Sequence, residues 1–139
     1  MTRFVLDASV SLAWYLDSPP ARYALDVWER VREGSRPVVP PLWVFECANT
    51  LLVAERRKAL QPSDSEVIVH KFEELMAGSF DVLTPPVALH ELVEASRSFH
   101  LTSYDVLYLL LAIDLNLPLA TLNASLAAAA RRAGVPLFS

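Results

Sequence analysis

The chain has 139 residues, 53% of them hydrophobic, and a formal net charge of −4. That length suffices for one domain, residues 1–139, that buries roughly 70% of the surface its unfolded form exposes, and so apolar a composition excludes a disordered segment. The acidic balance excludes a protein that holds nucleic acid by a broad field of Lys and Arg contacts to phosphate, but not one whose carboxylates gather a cation.

Arg3 to Leu6 is a short apolar run closed by Asp7, the pattern of a buried strand. A helix is expected over Ala8 to Leu16, and a second from Pro19 and Pro20 to about Glu33, ended by Gly34. Val38 and Val39 between prolines suggest a second strand, and Leu42 to Lys58 a third helix with basic residues in its last turn. Ser63 with Glu66 has capping-box spacing and predicts a helix closing near Gly78. Phe80 to Leu83 is expected as strand three, Pro86 to Phe99 and Ser103 to Asp114 as helices, and Pro118 to Leu122 as strand four. A helix over Ala124 to Arg132, ended by Gly134, and a fifth strand over Val135 to Phe138 complete the series. Strands alternating with helices predict an α/β fold, a mostly parallel five-stranded sheet covered on both faces.

The longest uncharged apolar stretch, Val106 to Ile113, lies between Asp105 and Asp114, far short of the about 20 residues of a spanning helix. Asp7 interrupts what would be the apolar core of a signal peptide, and the lone Cys47 fits a reducing compartment. A cytoplasmic protein with no membrane association is expected.

Ligands of open parallel sheets sit outside the carboxyl ends of the strands, where Asp7 and Asn123 fall. Four residues form the candidate constellation: Asp7, Glu46, Asp105 and Asn123. Each has an ordinary alternative. Asp7 and Asn123 suit N-caps, and Glu46 early in a helix suits the macrodipole. Glu46 nevertheless lies among Trp43, Val44, Phe45, Cys47 and Ala48, and Asp105 opens an almost wholly apolar helix. A buried carboxylate without a partner is costly, and carboxylates converging at strand ends suit a hard divalent cation, Mg²⁺ or Mn²⁺. Such an ion activates water and neutralises charge growing on a phosphate.

One cysteine and three scattered histidines, His70, His90 and His100, argue against zinc. The chain has three glycines and neither a GxGxxG nor a GxxxxGK[ST] loop. GxSxG is absent too. An aspartyl-phosphatase would carry a second Asp two residues after the first, where Ser9 stands.

These residues carry a family resemblance. Val5-Leu6-Asp7-Ala8-Ser9 resembles the opening of PIN domains, and Phe45-Glu46-Cys47-Ala48-Asn49 resembles their second motif, a Glu with an Asn one turn later. Leu101 to Tyr108, centred on Asp105, is similar to the third, and Leu119-Ala120-Thr121-Leu122-Asn123 to the fourth, where most members have Asp at the last position. The resemblance spans essentially the whole chain and implies a three-layer α/β/α sandwich and a Mg²⁺- or Mn²⁺-dependent endoribonuclease. Within it, Asp7, Glu46 and Asp105 hold the metal and Asn123 orients a water or coordinates through its carbonyl; Ser9, Asn49 and Thr121 are candidates to support them, with ordinary turn and cap roles as the alternative for Ser9 and Thr121. Members of this length resemble VapC toxins, dimers restrained by a VapB antitoxin, which implies RNA as substrate, a VapB-like partner and a homodimer. Trp14, Tyr15, Trp28 and Trp43 are candidate interface residues, with core packing as the alternative. Asn123 in place of Asp also keeps a second possibility open, a catalytically impaired PIN-like module that binds protein or RNA. Arg56, Arg57, Lys58, Arg131 and Arg132 are candidates for guiding RNA, or simply dipole partners at helix ends.

Overall fold

The computed structural model describes residues 2–139. In chain order the elements are β1 (Arg3–Leu6), α1 (Ala8–Leu16), α2 (Arg22–Arg32), β2 (Arg36–Val39), α3 (Leu42–Arg56), α4 (Pro62–Ser79), β3 (Asp81–Val82), α5 (Leu89–Phe99), α6 (Ser103–Leu115), β4 (Leu119–Ala120) and α7 (Ala124–Arg132). The strands form one parallel sheet in the order β3-β2-β1-β4, flanked by helices. This is the expected α/β sandwich.

The chain leaves β1 towards β2 and β3 on one side and later returns through β4 on the other. The strand order therefore reverses between β1 and β4, and the crevice at their carboxyl ends is the natural ligand position of such a sheet. Asp7 leaves β1 at that end, and Thr121 and Asn123 leave β4 there.

Parallel strands covered on both faces are apolar throughout, and Phe4, Val5, Leu6, Val38, Val39, Leu119 and Ala120 are all fully buried. Around them pack Val10, Val27, Trp43, Tyr108, Leu109, Leu111 and Leu126. Trp43 donates its indole N–H to Ser11 Oγ at 3.0 Å, and so locks α3 against α1. At the opposite end of the sheet Arg36 clamps Asp81 with two bonds of 2.9 Å, holding the two-residue edge strand β3.

Three local expectations are corrected. The fifth strand shrinks to a single parallel bridge between Leu119 and Leu137, because Pro136 has no N–H to extend a ladder. The α2 helix starts at Arg22 and α5 at Leu89, each beyond its prolines. A proline biases the residue before it towards extended backbone, so Pro85-Pro86 prolongs the loop and does not open a helix. The α4 helix begins at Pro62, and the side chain that reaches back is that of Asp64, accepting from the Gln61 N–H at 3.0 Å. Of the aromatics left open between interface and core, Trp43 is buried, Trp14 and Tyr15 are half-buried against the core, and Trp28 is half-buried. The exposed large apolar side chains are others, led by Leu89, Phe45 and Tyr104.

Asp81 is held below the ordinary carboxylate range, first by its hydrogen bond from Arg36. Its contribution is present above that ordinary range, about pH 4, and fades as pH falls through the lowered value. Asp81→Asn should therefore lose less stability than the parent on acidification, as urea unfolding at a series of pH values will show.

Candidate metal centre

Asp7 occupies the N-cap position of α1, yet its carboxylate makes no capping hydrogen bond. Oδ2 instead accepts from Ser9 Oγ at 2.6 Å and from Thr121 Oγ1 at 2.7 Å. The Thr121 bond joins the ends of β1 and β4. Ser9 Oγ also accepts from the Leu122 N–H at 3.0 Å, and Thr121 Oγ1 from the Asn123 N–H at 2.9 Å. Two hydroxyls thus fix the rotamer of a carboxylate that is only 5% exposed.

Thr102 caps α6, accepting from the Asp105 N–H at 3.1 Å. This sets Asp105 in the first turn, where its Oδ2 accepts from Asn123 Nδ2 at 3.2 Å. Glu46, on α3 and half-buried, accepts at Oε1 from the Tyr108 hydroxyl at 2.5 Å. Asp7, Glu46 and Asp105 lie near enough to repel one another. Burial raises the Asp7 carboxyl above its ordinary range and the negative charge of Asp105 adds to this. Burial also raises Glu46, with further contributions from Asp7 and Asp105.

Among the described residues no Lys, Arg or His forms an ion pair with any of the three. Nor does any group of three His, Cys, Asp or Glu side chains there close up enough to hold an ion by itself. The donor set still suits a hard cation. All its atoms are oxygens, and Mg²⁺ keeps several waters while taking only one or two carboxylates. A carboxylate buried with hydroxyl donors and like-charged neighbours, but no cation, is the observation that fits the group.

Asn123 serves two purposes. Oδ1 caps α7 by accepting from the N–H groups of Ser125 at 3.0 Å and Leu126 at 3.2 Å, while the amide nitrogen binds Asp105. Its carbonyl is thereby committed to the helix, so Asn123 steadies Asp105 as a donor and is not placed for coordination through oxygen. Asn49 is exposed and makes no side-chain hydrogen bond among the described residues. His70, His90 and His100 are all exposed, as are Arg56, Arg57, Lys58, Arg131 and Arg132.

Sequence reasoning missed Tyr108, which it counted within an apolar run. The available signal was a hydroxyl-bearing ring three residues after Asp105, on the same helix face. It also did not foresee the Ser11–Trp43 link beneath Glu46. Cys47 beside Glu46 is buried, which pushes its thiol up to about 12 and leaves it inert as a nucleophile. A cleft of about 470 Å³ lined by Pro86, Glu91, Glu94, Phe99 and Asp114 lies away from these groups. The site is marked by buried charge.

A parallel α/β/α sandwich with carboxylates grouped where its strand order reverses defines a class of acidic-site domain. The PIN domain matches residues 4–132, and the chain belongs to that family. No curated protein matches it. Among solved structures it is similar to PAE2754 from Pyrobaculum aerophilum, at 25% identity and a TM-score of 0.66, covering 92% of this chain and 84% of that one. FitAcB from Neisseria gonorrhoeae shares the fold at 18% identity and a TM-score of 0.68, over 98% of this chain and 96% of that one. So does VapBC2 from Rickettsia felis, bound to a DNA fragment from their promoter, at 12% identity and a TM-score of 0.65, over 99% and 98%.

Asn123→Asp would set a carboxylate against Asp105 where an amide now donates. Without divalent ions the variant should melt below the parent. With them, it should bind Mn²⁺ more tightly by about 1 kcal/mol after desolvation and repulsion are subtracted. Since Asp caps as well as Asn, α7 stays intact; calorimetric titration together with thermal melts measures both effects.

Proposed function

We propose that the protein is a Mg²⁺- or Mn²⁺-dependent endoribonuclease, the toxin of a type II toxin–antitoxin pair, hydrolysing RNA phosphodiester bonds. One observation carries this: Asp7, almost wholly buried, shares the crevice at the switch point with Glu46 and Asp105, and among the described residues no Lys, Arg or His pairs with them. Membership of the PIN family supports it. The toxin assignment rests on the chain's resemblance to VapC proteins and on the fold it shares with FitAcB and VapBC2.

In this reading Asp7, Glu46 and Asp105 hold the ion. When bound, it supplies a nucleophilic water and offsets charge on the phosphate. Ser9 and Thr121 keep Asp7 in one rotamer, and Asn123 keeps Asp105 beside the end of β4. Exposed Arg56, Arg57 and Lys58 at the end of α3, with Arg131 and Arg132 at the end of α7, are the cations available to RNA phosphates. A VapB-like antitoxin, a homodimer, a single PIN domain filling the chain and a cytoplasmic location belong to the same proposal. Among the described residues no helix is long and apolar enough to cross a membrane.

A second reading, a PIN-like module that binds without cutting, draws on Asn123, whose carbonyl is occupied by α7. Cleavage separates the two. An RNA mixture should be cut by the parent with Mn²⁺, spared in EDTA and cut again on adding Mn²⁺ back. Asp105→Asn, folded by circular dichroism, should lower the rate at least 100-fold, the order of effect for a group that acts on the reacting centre. Cleavage that persists in EDTA, or an Asp105→Asn variant as fast as the parent, contradicts the proposal.

A further inference from the structure

Tyr108 is fully buried, on a helix whose neighbouring positions are Val106, Leu107, Leu109, Leu110 and Leu111. Packing alone asks only for its ring. A buried phenol hydroxyl needs a partner, and this one has Glu46 Oε1 at 2.5 Å. The bond joins α6 to α3, two helices far apart in sequence that each supply one of the acidic groups. Asp105 and Tyr108 stand three residues apart, so one face of α6 presents both a carboxylate and the donor that fixes a second carboxylate. The phenol O–H donates and the Glu46 carboxylate oxygen accepts.

We propose that Tyr108 is a positioning residue: its hydroxyl holds Glu46 by Oε1 and so directs the second carboxylate oxygen towards the cation shared with Asp7 and Asp105. The inference rests on the metal-centre reading above. Glu46 has three side-chain torsions to order and is only half-buried. A donor that selects one of its rotamers before binding removes that ordering cost from the binding step. Outer donors of this kind typically change metal affinity 10–100-fold when removed.

The test is Mn²⁺ alone, titrated calorimetrically into the metal-free parent, Tyr108→Phe, Glu46→Gln and the double variant. Tyr108→Phe keeps the ring and removes only the hydroxyl, and its fold is checked by circular dichroism and thermal melting. Its Mn²⁺ affinity should fall about 10-fold. Glu46→Gln should weaken binding as well, and adding Tyr108→Phe to it should change affinity by less than about twofold, because the group being positioned is gone. An equal loss in both backgrounds would mark a general packing effect and overturn the proposal. So would a Tyr108→Phe variant that fails to fold, since the hydroxyl would then serve the fold. If Tyr108→Phe binds Mn²⁺ like the parent while Glu46→Gln does not, the positioning role falls and the metal centre stands. If Glu46→Gln itself binds like the parent, the metal-centre reading fails and carries this inference down with it.

Discussion

Three carboxylates crowded into one partly dry crevice are the constraint on which the rest of the molecule turns. Each ionised group taken from water loses hydration, and each raises the cost of ionising the others. Asp7 bears the largest burden, being almost fully buried with two hydroxyls as its side-chain donors. Proteins tolerate such an arrangement where the surrounding structure over-determines it, and groups so perturbed gather at functional sites.

The fold supplies that determination from several directions. Two hydroxyls, one from the first turn of α1 and one just past β4, fix Asp7, a cap fixes the first turn of α6, and an asparagine anchored to α7 holds Asp105. Trp43 pins α3 through Ser11, and Tyr108 reaches across from α6 to Glu46. The Thr121–Asp7 and Ser11–Trp43 links are buried, where an unmade bond is expensive. The sandwich thus holds its acidic groups apart from one another yet within Coulombic reach, an arrangement open to a cation with its own waters.

Much of this was legible in the residues. Apolar runs ending in Asp7, and in Thr121 before Asn123, marked the ends of β1 and β4, and the alternation of elements marked the parallel sheet. The capping role of Asn123 was legible too, but its amide donation to Asp105 was not, because that contact joins α7 to α6 across the fold. What escaped reading depends on tertiary context. Whether Asp7 caps its helix is decided by Thr121, distant in sequence, competing for the same oxygen. Whether Val135 to Phe138 extends the sheet is decided by Pro136, which offers β4 a carbonyl but no N–H. Tyr108 and Trp43 look like core or surface by type alone, and only the packed structure shows that their polar atoms tie α6 and α1 to the acidic helix α3.

The central claim is that these carboxylates burden the metal-free fold and are relieved by a divalent ion. Thermal unfolding of the parent and of Asp7→Asn, with and without Mn²⁺ and across a range of pH, tests it most directly. Because burial raises the Asp7 carboxyl in the folded state, its charge detracts from stability increasingly as pH rises from the ordinary carboxylate range through the raised value. Without divalent ions Asp7→Asn should therefore melt above the parent, by a margin that widens with pH. Saturating Mn²⁺ should raise the parent far more than the variant and reverse the order. A parent that is the more stable without metal, or an equal rise in both proteins, would contradict the account.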